Sequence, residues 1–390
     1  LIVQKYGGTS LGTLERIECV ADRIVKLRKT GVDIVVVVSA MGKTTDHLIE
    51  LLHSIDPRPP EREHDVLVST GEMISAAMLA TALNKRGHKA LSMTGSQIGI
   101  RTDKVHSKAK IVEIDSSKAH RKVLIIGIDA FRSEAMQQKI CPFMYELSEK
   151  STTYYTDKHD IEDHTISGPN WSSLLTGVHW CKHNVTGNDF QDNHLNEFPP
   201  LFYYIESAMP SMNTVSIVNW RPINDHLASS YGDHCPTESI GDAEVFQQVQ
   251  DALEDQDPID PDILFLHFDA PDAAGHNSGF SSKKEEYANA LTTIDGYVSD
   301  LFSIIETKRS NGEEWMVFIV SDHGGNNKKH GKGQKNDHIS KTIFYACSPD
   351  VDFTGIQTTS QVDLAPTVLH YLGITSSRFN CRTDGVSLIY

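Results

Sequence analysis

Three apolar runs in this chain each lead into carboxylates, and two of them have a histidine close behind. Lys122–Ile128 delivers Asp129, Ile263–Phe268 is followed by Asp269, Asp272 and His276, and Trp315–Val320 by Asp322, His323 and, beyond Gly324-Gly325, His330. Asp-x-x-x-His sets a hard oxygen and an imidazole within reach of one metal ion, and both are good zinc donors. Buried carboxylates without partners are costly, so such a cluster calls for a metal or a substrate cation. A fourth segment, "DHTISGPNWSSLLTG", places the Ser167 hydroxyl in a Gly/Pro turn ahead of a helical stretch at Trp171–Thr176. Free N–H groups at a helix start favour anions. A hydroxyl nucleophile beside metal-binding side chains suits displacement at phosphorus, where two ions about 4 Å apart can clamp the attacking and leaving oxygens.

The elements that must hold these groups are readable from periodicity. The three apolar runs read as buried strands of an α/β sheet, and in open α/β sheets ligands bind at the carboxyl ends of the strands. Thr342–Cys347 reads as a further strand and Gln361–Leu372 as a helix. Ser281–Lys308 reads as a long helix with a capping box from Ser282 to Glu285. Its face of Tyr287, Leu291, Ile294, Val298, Leu301 and Ile305 is core. Residues 188–240, rich in Asn, Asp, Pro and aromatics, are expected to form loops over the site and to set its specificity.

Charge divides the chain. Of its 390 residues, 1–118 hold 17 Lys+Arg against 14 Asp+Glu, whereas 119–390 hold 19 against 38 and 14 of the 19 histidines. A portion so acidic repels bulk nucleic acid, while bound cations can still make it receptive to an anionic substrate. No stretch approaches the roughly 20 apolar residues of a membrane span. Six widely scattered cysteines without a CxxC pair point to free thiols, and with no signal-peptide pattern visible the expected compartment is cytoplasmic.

The less acidic first part follows its own pattern. Leu1–Tyr6 reads as a strand ending in Gly7-Gly8-Thr9-Ser10, followed by an amphipathic helix through Ile17, Val20, Ile24 and Leu27. Ile34–Val38 reads as a buried parallel strand, about Glu63 to Arg86 as a long helix and Lys89–Met93 as another strand. Glycines after a strand let a backbone approach phosphate. "QKYGGTSLG", "VVVVSAMGKTTDHL", "LVSTGEMISAAMLA" and "TGSQIGIRTD" together resemble the N-terminal part of an aspartate kinase of the amino-acid kinase family. That resemblance implies phosphate binding by Lys5, Gly7 and Gly8 and a substrate side formed by Ser39 and Glu72. The second half-domain of such kinases has no counterpart after Lys118, so this segment reads as truncated, without activity by itself, and open to pairing with another chain.

From about Val123 onward the chain resembles the alkaline phosphatase superfamily, in its type I phosphodiesterase/nucleotide pyrophosphatase-like branch. The matching motifs are Asp129, Ser167-Gly168-Pro169-Asn170, Asp272-Ala273-Ala274-Gly275-His276 and Ser321-Asp322-His323-Gly324. The expected architecture is a three-layer α/β/α domain over residues 119–390 preceded by a partial α/β kinase-like segment over 1–118. The resemblance implies two Zn²⁺ ions, with other divalent cations as substitutes. Asp129, Ser167, Asp322 and His323 would hold one; Asp272, His276 and a later histidine would hold the other. His330 fits the last place better than His338, because it precedes a glycine about a dozen residues before a strand. Ser167 would be the nucleophile of a phosphoseryl intermediate, and Asn170 would bind a phosphoryl oxygen. The implied substrate is a small phosphate ester or nucleotide. A sulfatase would need Arg where Trp171 stands.

Overall fold

Three strands rich in branched residues lie side by side and in parallel at the centre of the second half of the chain. The structure is a computed structural model; it describes every residue except 1, 30, 33, 89, 91, 96, 97, 99, 103–108, 115–120, 211, 255–259, 375–382 and 390. The chain forms two compact units, Leu1–Ala119 and His120–Tyr390.

In the first unit β1 (Ile2–Tyr6) pairs in parallel with β2 (Ile34–Val38). Helix α1 (Leu14–Arg28) follows β1, α2 (Thr44–Ile55) and α3 (Glu61–Asn84) follow β2, and β3 (Ile100–Thr102) and β4 (Ile111–Ile114) form a separate antiparallel pair. Ile17, Val20, Ala21 and Ile24 of α1 pack with Leu79, Ala82 and Leu83 of α3 against Ile34, Val36 and Val38. Strand β2 is buried on that face alone. Val35 and Val37 are 48% and 46% exposed, because a two-stranded sheet has one helical layer here. The strand expected at Lys89–Met93 is not formed by Ala90, Ser92 and Met93, and Lys89 and Leu91 lie outside the described residues. Helix α3 is long and apolar enough to cross a membrane by length and composition, but its Leu79, Ala82 and Leu83 serve the core of this unit.

In the second unit the elements run β5 (Arg121–Ile128), α4 (Pro142–Ser148), β6 (Thr153–Asp160), α5 (Ser167–Thr176), α6 (Trp180–His183), α7 (Leu201–Ala208), β7 (Thr214–Val218), α8 (Asp242–Leu253), β8 (Ile263–Phe268), α9 (Ala270–Ser278), α10 (Glu285–Ser310), β9 (Glu314–Val320), α11 (Asp337–Ser340), β10 (Lys341–Cys347) and α12 (Leu364–Tyr371). The sheet order is β6-β10-β9-β5-β8-β7. Strands β9, β5, β8 and β7 are parallel, and β10 is antiparallel to both its neighbours. Alternate residues of β5 feed two cores. Val123 and Ile125 face α5, α7 and α12, while Leu124, Ile126 and Ile128 face α4, α8 and α10. This is a three-layer α/β/α arrangement, each sheet face hiding its apolar side chains under helices.

Two local expectations fail for physical reasons. Helix α10 starts at Glu285, and Ser282 does not cap it: its hydroxyl donates to Glu134 Oε2 at 2.8 Å and its N–H to Glu134 Oε1. The capping box occurs instead at Ser360 and Asp363, before α12. Residues 188–240 are not all loop, since they contain α7 and the fully buried strand β7. The core face of α10 is buried as its spacing requires. Among the described residues the five cysteines are unpaired, and Cys381 lies outside them.

Candidate active site

Because β9, β5 and β8 are adjacent and parallel, their carboxyl ends open on one edge of the sheet, and the residues just beyond them converge. Asp129 follows β5, Asp322 and His323 follow β9, and Asp272 and His276 stand one turn apart on α9, which starts at the end of β8. Ser167 is the first residue of α5, where the first-turn N–H groups have no intrahelical partner. Its Oγ lies 3.3 Å from His323 Nε2. The backbone bends sharply after Asp129: Ala130 has φ of 55°, a rare conformation for a residue with a side chain. The bend lets the Ala130 N–H donate to Asp322 Oδ1 and the Phe131 N–H to Ser321 Oγ, which ties β5 to β9 at the site.

The three histidines are oriented alike. The Nδ1 of His323 bonds the Gly324 carbonyl, that of His330 the Thr165 carbonyl and that of His276 the Lys328 carbonyl, at 2.9, 2.9 and 3.0 Å. A carbonyl only accepts, so each Nδ1 is the donor, and each ring turns its Nε2 inward. His276 Nε2 lies 3.0 Å from His330 Nε2 and 3.4 Å from Asp272 Oδ2, and His330 Nε2 is 3.6 Å from Asp272 Oδ1. His323 Nε2 is 3.2 Å from Asp322 Oδ2 and 3.7 Å from Asp129 Oδ1. His338 instead sits in α11, its N–H on Asn336, so His330 is the histidine brought to Asp272.

These groups fit cations. Asp129 Oδ1, Asp272 Oδ1 and Asp322 Oδ2 are buried without hydrogen-bond partners. Asp272, His276 and His330 hold ligand atoms within 4.8 Å of one another, as do Asp129, Asp272 and His323. With no cation present, burial and the carboxylates of Asp129 and Asp269 push Asp272 up to about 9. Burial and Asp129 likewise raise Asp322 well above the usual carboxylate range. Burial and neighbouring His330 bring His323 down to about 3, and burial also lowers His330. The raised values mean that the buried carboxyls hold their protons unless positive charge is placed among them, and the donor set fits a cation.

Several neighbours escape a reading of the sequence. Asp129 Oδ2 accepts from His267 Nε2 at 3.1 Å and from the Trp171 indole N–H at 3.2 Å. Burial opposes ionisation of Asp129, but the hydrogen bond from His267, the neighbouring His323 and His267 rings and the Trp171 N–H together outweigh it and hold the carboxyl below its ordinary range. Gly127 makes room for this: a Cβ there would meet the Trp171 ring at 2.7 Å. The Gly168 N–H donates to Asn188 Oδ1 at 2.8 Å, in a loop that closes on Gly168 so tightly that a Cβ would meet the Gly187 carbonyl at 2.6 Å. Asn170, expected on a phosphoryl oxygen, is spent on backbone: its amide donates to His164 and Ile166 carbonyls and accepts from the Glu162 N–H. In this structure it shapes the turn that presents Ser167, and Asn188 is the asparagine beside Gly168.

The first unit brings its own candidates to one edge, the carboxyl ends of β1 and β2. Gly8 packs so closely that a Cβ would meet the Ala40 carbonyl at 2.4 Å. The Ser39 N–H donates to the Tyr6 carbonyl, and Glu72 Oε1 accepts from the Ala40 N–H at 3.4 Å. Lys5 and Gly7 are exposed at the same edge.

Comparison with known proteins decides the family. The model of the type I phosphodiesterase/nucleotide pyrophosphatase family matches residues 123–202 and 205–346. The chain belongs to this family. Murine ectonucleotide pyrophosphatase/phosphodiesterase 5, solved in complex with AMP, superposes with a TM-score of 0.53 at 14% identity, over 65% of this chain and 96% of that one. A 2-O GAG sulfatase superposes with a TM-score of 0.53 at 15% identity, over 69% and 73%. Both likenesses show a shared fold. Residues 1–135 match the model of the amino acid kinase family. Aspartokinase from Geobacillus stearothermophilus is 52% identical over 118 residues, 30% of this chain and 29% of that protein. Aspartate kinase from Pseudomonas fluorescens is 57% identical over 120 residues. The chain thus spans under a third of the length of the curated aspartokinases it matches. Both family models include residues 123–135, but β5 hydrogen-bonds to β8 and β9 and so is built into the phosphodiesterase-like sheet.

Proposed function

We propose that the second unit of this phosphodiesterase-family chain hydrolyses phosphate esters through a covalent phosphoseryl intermediate on Ser167. The observation that carries the reading is the set of three inward Nε2 atoms and three orphaned carboxylate oxygens gathered beside a hydroxyl at a helix start. Asp129, Ser167, Asp322 and His323 would hold one divalent ion, zinc by their chemistry, and Asp272, His276 and His330 a second. Bound there, the ions would supply the positive charge that makes the Ser167 hydroxyl easier to ionise and neutralises the phosphoryl oxygens. Ser167 Oγ then forms a bond to phosphorus as the bond to the leaving alkoxide breaks, and water releases phosphate or a phosphomonoester from the serine. In the first turn of α5 Pro169 has no N–H and the Gly168 N–H is held by Asn188, so the Ser167 N–H is the donor left to meet the developing charge. A panel of nitrophenyl mono- and diesters with and without added zinc tests the reading. Hydrolysis abolished by chelation and restored by zinc is expected; no hydrolysis of any ester sinks it.

Two other readings compete. A sulfatase would cleave nitrophenyl sulfate in the same panel; against it, Trp171 stands where that chemistry needs arginine, and its indole is committed to Asp129. An aspartate kinase activity of the first unit would produce aspartyl phosphate from ATP and aspartate. Against it, the curated relatives are matched over less than a third of their length. The first unit is better read as inactive alone and able to pair with another chain's complementary half.

A further inference from the structure

We infer that Thr165 is a positioning residue whose hydroxyl locks the stretch carrying His330 to the turn carrying Ser167, so that one side chain sets both the Asp272 cluster and the nucleophile. This rests on the ester-hydrolase reading above. His330 belongs to an otherwise exposed stretch: within residues 327–335 only His330 and Gly333 are buried. Thr165, itself 1% exposed, bonds both of them. Its hydroxyl donates to the His330 carbonyl and accepts from the Gly333 N–H at 3.0 Å, and its carbonyl accepts from His330 Nδ1 at 2.9 Å. The Lys328 carbonyl of the same stretch accepts from His276 Nδ1. Two of the three side chains of the Asp272 cluster are thus oriented by a stretch that Thr165 anchors.

On its other side Thr165 leads straight to the nucleophile. Ser167 stands two residues on, in a turn that Asn170 stiffens by donating to the His164 and Ile166 carbonyls and accepting from the Glu162 N–H. The rings close the circuit. His330 stacks on His323 with 3.9 Å between centroids and 17° between planes, and His323 Nε2 is the group 3.3 Å from Ser167 Oγ. A shift of residues 330–333 would move His330 from Asp272 and His276 and, through Thr165, the backbone that presents Ser167. Valine fills the volume of threonine but bonds neither partner. The His330 carbonyl and the Gly333 N–H would then be buried without the hydroxyl, a cost that a stretch exposed on both sides escapes by swinging toward water.

Thr165→Val and Thr165→Ser separate the hydroxyl from the bulk. In zinc titration of the full chain against a chromophoric chelator, the dissociation constant that His330→Ala loses marks the ion of the Asp272 cluster. In Thr165→Val that constant should rise by about tenfold or more, the scale of groups that orient metal ligands, while the constant of the Asp129 cluster is unchanged. At saturating zinc kcat for the best nitrophenyl ester should still fall, by about tenfold to 100-fold, with KM little altered, and Thr165→Ser should restore both quantities. An unchanged constant at the Asp272 cluster, equal weakening of both ions, or no recovery with serine would each overturn the inference. Hydrogen exchange reads the same link with Thr165 in place, whether or not the valine variant folds. In zinc-loaded His330→Ala the amides of residues 164–168 should exchange faster than in the parent; faster exchange confined to 328–333 would overturn the inference. The nitrophenyl panel reports separately on the hydrolase reading. Selective weakening of one ion in Thr165→Val, in a parent that hydrolyses no ester, would leave the lock standing and remove that reading.

Discussion

His276 and His330 face each other Nε2 to Nε2 across 3.0 Å, each with its other nitrogen already donating to a carbonyl. Both rings turn their remaining nitrogen toward that gap beside Asp272, an arrangement that fits a cation held by all three. Metal analysis of the purified protein should therefore find two divalent ions per chain. His330→Ala should retain one of them and lose most activity, whereas His338→Ala should retain both. Loss of an ion from the His338 variant would place the second cluster on the wrong histidine.

Asp129 has one oxygen held by His267 and Trp171 and one oxygen bare. The two donors fix which oxygen faces the histidine cluster. Outer-shell partners of this kind typically contribute 10- to 100-fold in metal affinity. His267→Phe keeps the ring volume in a fully buried position and removes the donor. The expected result is a metal dissociation constant raised by about tenfold or more at the Asp129 cluster, with circular dichroism unchanged. An unaltered constant would reduce His267 to packing.

Ser167 Oγ makes one weak contact, 3.3 Å to His323, so its removal should hardly disturb the fold. Ser167→Ala should lower turnover of the best nitrophenyl ester by a factor on the order of 10³ or more, the scale on which covalent catalysis fails without its nucleophile. Acid-quenched parent enzyme should carry a phosphoryl group on Ser167 by mass spectrometry. Near-normal turnover in the variant would exclude the covalent route.

The parts of the site legible in the sequence are those delivered by uniform apolar strands. Asp129, Asp272, His276, Asp322 and His323 follow runs whose burial is unambiguous, and parallel strands must end on one edge. His267 was hidden because it lies inside such a run, and its partner Asp129 is 138 positions away. Trp171 read as part of a helix; it is fully buried, and only the tertiary contact gives its N–H a role. Thr165 and Asn188 act through loop closures that no periodicity encodes. Asn170 has the residue type for phosphate binding, but local backbone carbonyls claimed its amide first, the usual competition for Asn near a turn. Strand β6, with the sequence TYYTDKHD, lies at the sheet edge, where one-sided burial erases the apolar signal.

The carboxyl of Asp272 gives the metal-free protein a pH dependence with a definite sign. Burial and the neighbouring carboxylates raise it to about 9 in the folded state, against roughly 3.9 in an unfolded chain. A group whose folded value is raised binds its proton more tightly when folded. Its contribution to stability is therefore fully present below about pH 4 and is lost progressively as pH rises through about 9. Asp272→Asn keeps the shape and abolishes the charge. In the presence of chelator, its melting temperature relative to the parent should climb steadily between pH 5 and pH 9. Zinc should reverse the order, because the parent then gains a ligand that the variant lacks. His323, lowered to about 3, works in the opposite sense, losing stability as pH falls from about 6.5, but it is common to both proteins and cancels in the difference. A pH-independent difference in chelator would show that the Asp272 carboxyl is not held protonated by its surroundings, and the electrostatic case for a cation in this cluster would fall with it.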